Sequence, residues 1–129
     1  MAINVLIVDD SAVMRAMILK TMRMSVLPLG EIHQASNGQE GLAALEENWI
    51  DLVLLDINMP VMNGEEMMES MQKNPDLREI PTIVISTEGS ETRIKRLQAK
   101  GARFIRKPFS PEIIRDTVKE LLGEGAIDG

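Results

Sequence analysis

Short, unbroken apolar runs alternate along the chain with longer stretches in which apolar residues recur every three or four positions. Val5-Leu6-Ile7-Val8, Leu52-Val53-Leu54-Leu55 and Ile83-Val84-Ile85 are the clearest runs, Phe104-Ile105 is shorter, and Ile32 to Ala35 is the weakest. A strand that is apolar at every position has both faces covered, which is the habit of parallel sheets, whereas a strand with one wet face alternates. Between the runs lie helical stripes: Val13, Met14, Met17, Ile18, Thr21 and Met22; Leu42 and Leu45; Met67, Met68 and Met71; Ile94 and Leu97; and Ile113, Ile114, Val118, Leu121 and Leu122. Turn chemistry agrees. Asn37-Gly38 and Asn63-Gly64 stand ahead of the second and third helices, Gly101 follows the fourth, and Ser110-Pro111 opens the fifth with a cap and an N1 proline. The pattern predicts five β-α units. These form a doubly wound α/β fold, in which right-handed crossovers place helices on both faces of a five-stranded parallel sheet. One domain spans 1–122, and 123–129 is read as a short unpatterned tail.

Composition narrows the function classes. The chain has 129 residues, one domain's worth, with 14 basic against 20 acidic residues and a formal net charge of −6. Phosphate backbones are bound by clustered Lys and Arg, so nucleic acid is not expected as a direct partner. Without cysteine there is no disulfide scaffold, thiolate metal site or thiol nucleophile. No apolar run approaches the roughly 20 residues of a membrane span, and no secretion signal is visible. A cytoplasmic protein is expected.

The chemistry lies just past each buried run. The first ends in Asp9-Asp10, the second in Asp56, the third in Ser86-Thr87 and the fourth in Arg106-Lys107. A parallel sheet gathers the carboxyl ends of its strands on one edge, where ligands bind. Three carboxylates, a hydroxyl and an ammonium therefore converge. Carboxylates crowded and partly desolvated in this way need a compensating cation. Lys107 supplies one charge, and Mg²⁺, which favours oxygen ligands and accepts phosphate oxygens, would supply the rest. A carboxylate beside such a metal can act as a nucleophile towards phosphorus and form an aspartyl phosphate.

Four segments carry a resemblance: Val-Leu-Ile-Val-Asp-Asp-Ser (5–11), Leu-Leu-Asp-Ile-Asn-Met-Pro-Val-Met-Asn-Gly (54–64), Ile-Ser-Thr (85–87) and Lys-Pro-Phe (107–109). In this order and spacing, residues 3–122 resemble a response-regulator receiver domain of the chemotaxis CheY type. The resemblance implies the flavodoxin-like strand order 2-1-3-4-5. It implies that Asp56 is the phosphoacceptor, that Asp10 ligates Mg²⁺ directly together with Asp56 and the backbone carbonyl of Asn58, and that Asp9 acts through metal-bound water. Lys107 would bind a phosphoryl oxygen, Ser86 and Phe104 would be the switch pair, and the Lys107-Pro108 bond would be cis. Thr87, Glu88 and Asn58 occupy positions that tune access and phosphate lifetime. Thr87 is larger than the Ala or Gly common there and narrows access, whereas Asn58 and Glu88 match members that lose phosphate quickly, so the two pull in opposite directions. Phe104 lacks the hydroxyl of the Tyr often found at its position.

The implied function is a phosphoryl-accepting signalling switch, not an enzyme. It would be charged by a sensor histidine kinase and read by a downstream target protein through the α4-β5-α5 face, with chemotaxis and the flagellar motor switch as the first candidates. A monomer is expected, able to dimerise on phosphorylation. No output segment is expected beyond 122. A phosphorelay intermediate or a receiver excised from a larger regulator would carry the same site. A Mg²⁺-dependent aspartyl phosphatase would need a second Asp where Asn58 stands. A flavin module would need a Ser/Thr/Gly-rich loop where Asp9-Asp10-Ser11 would repel the phosphate.

Other residues have plainer readings. His33, the one histidine, is read as structural or surface. Most of the ten methionines are read as core, with Met59 and Met62 as the exposed ones. Arg93, Lys95, Arg96 and Lys100 make the fourth helix basic, as either a solvated face or a docking surface for an acidic target.

Overall fold

A computed structural model describes residues 2–87 and 89–123; Glu88 and the tail beyond Gly123 lie outside the described residues. In chain order the elements are β1 (Ile3–Val8), α1 (Ala12–Met24), β2 (Leu29–Ala35), α2 (Gly38–Glu47), β3 (Leu52–Leu55), α3 (Gly64–Lys73), β4 (Thr82–Ser86), α4 (Glu91–Ala99), β5 (Arg103–Arg106) and α5 (Pro111–Leu122). The five strands form one sheet in the order β2-β1-β3-β4-β5, and every pairing is parallel. The doubly wound architecture and its strand order are thus as expected.

The unbroken apolar runs have a simple cause. Successive side chains of a strand point to opposite faces. Leu6 and Val8, Val53 and Leu55, and Val84 enter one core with Leu45, Met67, Met68, Met71 and Leu97. Ile3, Val5 and Ile7, Leu52 and Leu54, and Ile83 and Ile85 enter the other with Ile18, Met22, Ile114 and Val118. The weak signal of β2 reflects its place at the sheet edge, where only Ala35 is fully buried.

Helix starts follow the side-chain chemistry. Ser11, Asn37, Asn63, Ser90 and Ser110 each accept a hydrogen bond from a first-turn backbone N–H. At α3 the bond is reciprocal, because Glu66 also accepts from the Asn63 N–H. Gly101, with φ +97°, takes the left-handed position after α4.

Three expectations need correction. The stripe on α1 is narrower than the sequence suggests: Ile18 and Met22 are buried, but Val13 and Met17 are 72% and 52% exposed. The line facing the sheet runs through Met14, Ile18 and Met22, and Val13 sits about 100° round the helix from Met14. Met59 and Met62 are half-buried against the α2–α3 core. The loop folds back on α2, with Gly38 N–H donating to the Met62 carbonyl at 2.9 Å. Val61, with φ 68°, is the exposed apex instead. Finally, the basic face of α4 is mostly tied to its neighbours. Arg93 Nη1 donates to Asn58 Oδ1 at 3.0 Å, Arg96 Nε to Glu65 Oε2 at 3.1 Å, and Lys100 Nζ lies 4.0 Å from Glu69 Oε1.

Candidate phosphoryl and metal site

The carboxyl edge of the sheet gathers its chemistry from four strands. The Asp9 N–H donates to the Ala35 carbonyl and the Asp56 N–H to the Val8 carbonyl, so both residues extend the sheet by one position. The Lys107 N–H donates to the Ser86 carbonyl at 3.0 Å and sets the β5 end against the β4 end. Asp9, Asp10 and Asp56 each bring a carboxylate oxygen within 4.8 Å of the others. Asp9 is buried at the floor, Asp56 is half-buried and Asp10 is exposed at the mouth.

Asp9 Oδ1 accepts from the Ser11 N–H at 2.9 Å. Its Oδ2 is buried with no hydrogen-bond partner, and Lys107 Nζ stands 3.8 Å away, too far to donate to it. Asp56 Oδ1 accepts from the Ile57 N–H at 2.9 Å. Burial raises the Asp9 carboxyl above its ordinary range, against the Ser11 N–H and Lys107. Asp56 is also raised, first by burial and then by the charge of Asp9, with Lys107 opposing. A buried carboxylate oxygen without a partner, facing two further carboxylates, is a donor set for a hard divalent cation. The residues present fit Mg²⁺.

Ser86 is buried at the end of β4 and lies in register with Arg106, as Val84 does with Phe104. Residues two apart share a sheet face, so Ser86 and Phe104 stand on one side. Phe104 is half-buried against the α2–α3 core, with the Arg106 guanidinium 5.7 Å from its ring centre. Thr87 and Asn58 are exposed at the rim, and the Lys107-Pro108 bond is cis. His33 is remote on β2, paired with Glu31 at 3.0 Å.

Two basic residues at this edge were not singled out from sequence for the site. Arg15 on α1 donates to the Asp9 carbonyl and, through Nε, to Gln34 Oε1 at 3.0 Å. Arg93 reaches Asn58 from α4. An arginine on an exposed helix face carries no pattern that reveals which loop it touches, so nothing in the sequence marked either contact.

Comparison with known proteins identifies the family and agrees with the fold. Residues 5–119 match the family described as response regulator receiver domain. A chemotaxis protein CheY homolog of Campylobacter jejuni is 31% identical over 98% of this chain and 97% of its own length. Chemotaxis protein CheY1 of Helicobacter pylori is 35% identical over 93% of this chain and 97% of its own length. The CheX-CheY-BeF3-Mg²⁺ complex of Borrelia burgdorferi contains a chain of TM-score 0.81 and 32% identity, covering 93% of this chain and 89% of that one.

Proposed function

The chain belongs to the response-regulator receiver family, and from that premise we propose that it is a phosphoryl-accepting switch whose acceptor is Asp56. The observation that carries the proposal is the convergence of Asp9, Asp10 and Asp56 around a buried carboxylate oxygen without a partner, with Lys107 beside it.

An Asp56 carboxylate oxygen attacks the phosphorus of a phosphohistidine on a sensor kinase. The new O–P bond forms as the N–P bond breaks, and the imidazole leaves with the electron pair. Bound Mg²⁺ would neutralise charge on the phosphoryl oxygens. Asp10, Asp56 and the Asn58 carbonyl would hold it directly, and Asp9 through water. That a solved complex of a Borrelia relative holds BeF3 and Mg²⁺ supports a Mg²⁺ site of this kind. Lys107 turns from Asp9 to a phosphoryl oxygen, which its present long contact makes easy. The Ser86 hydroxyl donates to a second oxygen, and its inward movement makes room for Phe104 to turn.

Phe104 connects the site to the surface. It lines a shallow cleft of about 410 Å³ with Ile94, Lys95 and Gln98 of α4 and Arg106 of β5. Rotation of the ring would reshape that cleft, and a two-state change there is what a partner protein would read. The target is read as a component of chemotaxis, with the flagellar motor switch first. Among the described residues no helix is long and apolar enough to cross a membrane; the proposed switch would work in the cytoplasm, where its kinase would charge it. Thr87 and Asn58 at the rim would tune how long the phosphoryl group lasts.

Intact mass after incubation with acetyl phosphate and Mg²⁺ tests the proposal. One added phosphoryl group is expected, absent without Mg²⁺ and absent in Asp56→Asn. Addition that persists in Asp56→Asn would overturn the assignment of the acceptor.

A further inference from the structure

Asn58 stands two residues beyond Asp56, at the rim of the carboxylate pocket, and its Oδ1 accepts from Arg93 Nη1 at 3.0 Å. A guanidinium can only donate, so the amide oxygen of Asn58 must face Arg93. That removes the two-fold ambiguity of an exposed amide. The end that this bond leaves available is the NH₂ group, a donor.

Arg93 is itself held in place. Its N–H donates to the Ser90 cap of α4 at 3.3 Å. One turn further along, Arg96 is tied to Glu65 at 3.1 Å, and Gln72 of α3 donates to the Lys100 carbonyl at 2.6 Å. The last turn of α4 and its C-cap are therefore tied to α3, and the Arg93 side chain reaches from the capped first turn to the loop after the acceptor.

We propose that Arg93 is a positioning residue for phosphoryl transfer, acting through Asn58: it turns the Asn58 amide so that Nδ2 donates to the phosphoryl oxygens as they gain charge. The inference rests on Asp56 being the acceptor. In uptake from acetyl phosphate, Asp56 oxygen bonds to phosphorus as the bond to the acetyl oxygen breaks and acetate departs. In discharge, water oxygen bonds to phosphorus, the Asp56 O–P bond breaks, and the water proton passes to the released inorganic phosphate. A donor at the equatorial oxygens lowers both barriers. Without Arg93 the amide rotates freely and offers its oxygen, a repelling group, for part of the time.

The test measures both rates at saturating Mg²⁺ in wild type, Arg93→Ala, Arg93→Lys, Asn58→Ala and the double alanine variant. Arg93→Ala is expected to slow uptake and discharge together, by roughly three- to tenfold, the scale of one hydrogen bond. Arg93→Lys, also a pure donor, should restore most of the rate. In the Asn58→Ala background, Arg93→Ala should add nothing. A merely structural loss would instead lower the melting temperature and multiply with Asn58→Ala. Unchanged rates in Arg93→Ala, or multiplicative losses in the double variant, overturn the inference while leaving Asp56 as acceptor. A wild type that takes up no phosphoryl group at all overturns the acceptor assignment, and the inference with it.

Discussion

The Asp56 carbonyl lies so close to the α-carbon of Gly64 that a Cβ on residue 64 would stand 2.3 Å from the oxygen. The same turn is pinned by the Gly64 N–H, which donates to the Ile57 carbonyl at 2.9 Å. The start of α3 is thus packed against the backbone of the proposed acceptor, and Asn63 fixes that start with its capping box.

Gly64→Ala should therefore do two things. The clash is with backbone, which cannot swing aside, so overpacking should cost about 1–3 kcal/mol in urea unfolding. The shift must also move Asp56, so phosphoryl uptake should fall further than in Gly89→Ala, where nothing lies within 4 Å of the added carbon. Equal behaviour of the two variants would show that the acceptor loop tolerates displacement.

Asp9 gives a prediction with a sign. Burial, its largest influence, raises the carboxyl above its ordinary range. The native state then binds a proton more tightly than the unfolded chain. Stability is lost as pH rises through the ordinary carboxylate range, and the loss is complete above the raised native value. In Mg²⁺-free buffer, Asp9→Asn should stabilise the protein at neutral pH by about 1 kcal/mol or more, the scale of relieving an unsatisfied buried oxygen. The advantage should shrink as pH falls into the ordinary carboxylate range. Mg²⁺ at tenfold its dissociation constant should stabilise wild type by about 1.4 kcal/mol, and clearly less in Asp9→Asn. Denaturant melts across pH, with and without EDTA, would read both effects.

What could be read from the sequence follows from how the signals arise. Fully buried β1, β3 and β4 write themselves as apolar runs, and the residue after each run lands on one edge of a parallel sheet, so Asp9, Asp56 and Ser86 could be brought together without coordinates. Asn37, Asn63 and Ser110 were equally plain as helix starts, because Ser and Asn act on their own helix, whereas the Ser11 and Ser90 caps were not singled out. The α4 arginines were not. Long side chains on an exposed helix can reach water, a partner or a neighbouring helix, and sequence spacing is the same in all three cases. Met59 and Met62 misled for a related reason: a loop beside Pro60 reads as exposed, yet its return to Gly38 is a tertiary contact.

The Arg96–Glu65 pair should be measurable as a local tie between α4 and α3. Arg96 holds the Glu65 carboxyl below its ordinary range, mainly by its hydrogen bond. A carboxyl lowered in the native state contributes stability above the ordinary carboxylate value, and that contribution fades as pH falls through the native value. Arg96 is half exposed, with 52% of its side-chain surface accessible, so solvent screens the pair. A double-mutant cycle with Arg96→Ala and Glu65→Gln should give a coupling of about 0.3–1 kcal/mol, reduced in 1 M salt and absent at acid pH. A coupling that ignores salt would mean packing, not charge, joins the helices.

Trp49 is the chain's one tryptophan and is 81% exposed. It follows α2 and precedes β3, at the sheet edge opposite the carboxylates, where it borders a cleft of about 520 Å³ with Leu45, Ile50, Leu77 and Leu122. An indole in water emits at long wavelength and is readily quenched. Native emission should therefore lie close to that of the unfolded chain, and acrylamide should quench it almost as well as free tryptophan. Because the ring lies at the opposite sheet edge from Asp56 and salt screens exposed charges beyond about 10 Å at 0.1 M, saturating Mg²⁺ and phosphoryl uptake should leave the emission unchanged. A large quench on Mg²⁺ addition would mean either a second cation site at the Trp49 edge or a change that crosses the sheet. Repeating the titration in the double variant Asp10→Asn, Asp56→Asn, which removes both carboxylates proposed to hold the ion directly, separates the two, since a quench that survives belongs to the far edge and one that disappears has travelled from the carboxylates.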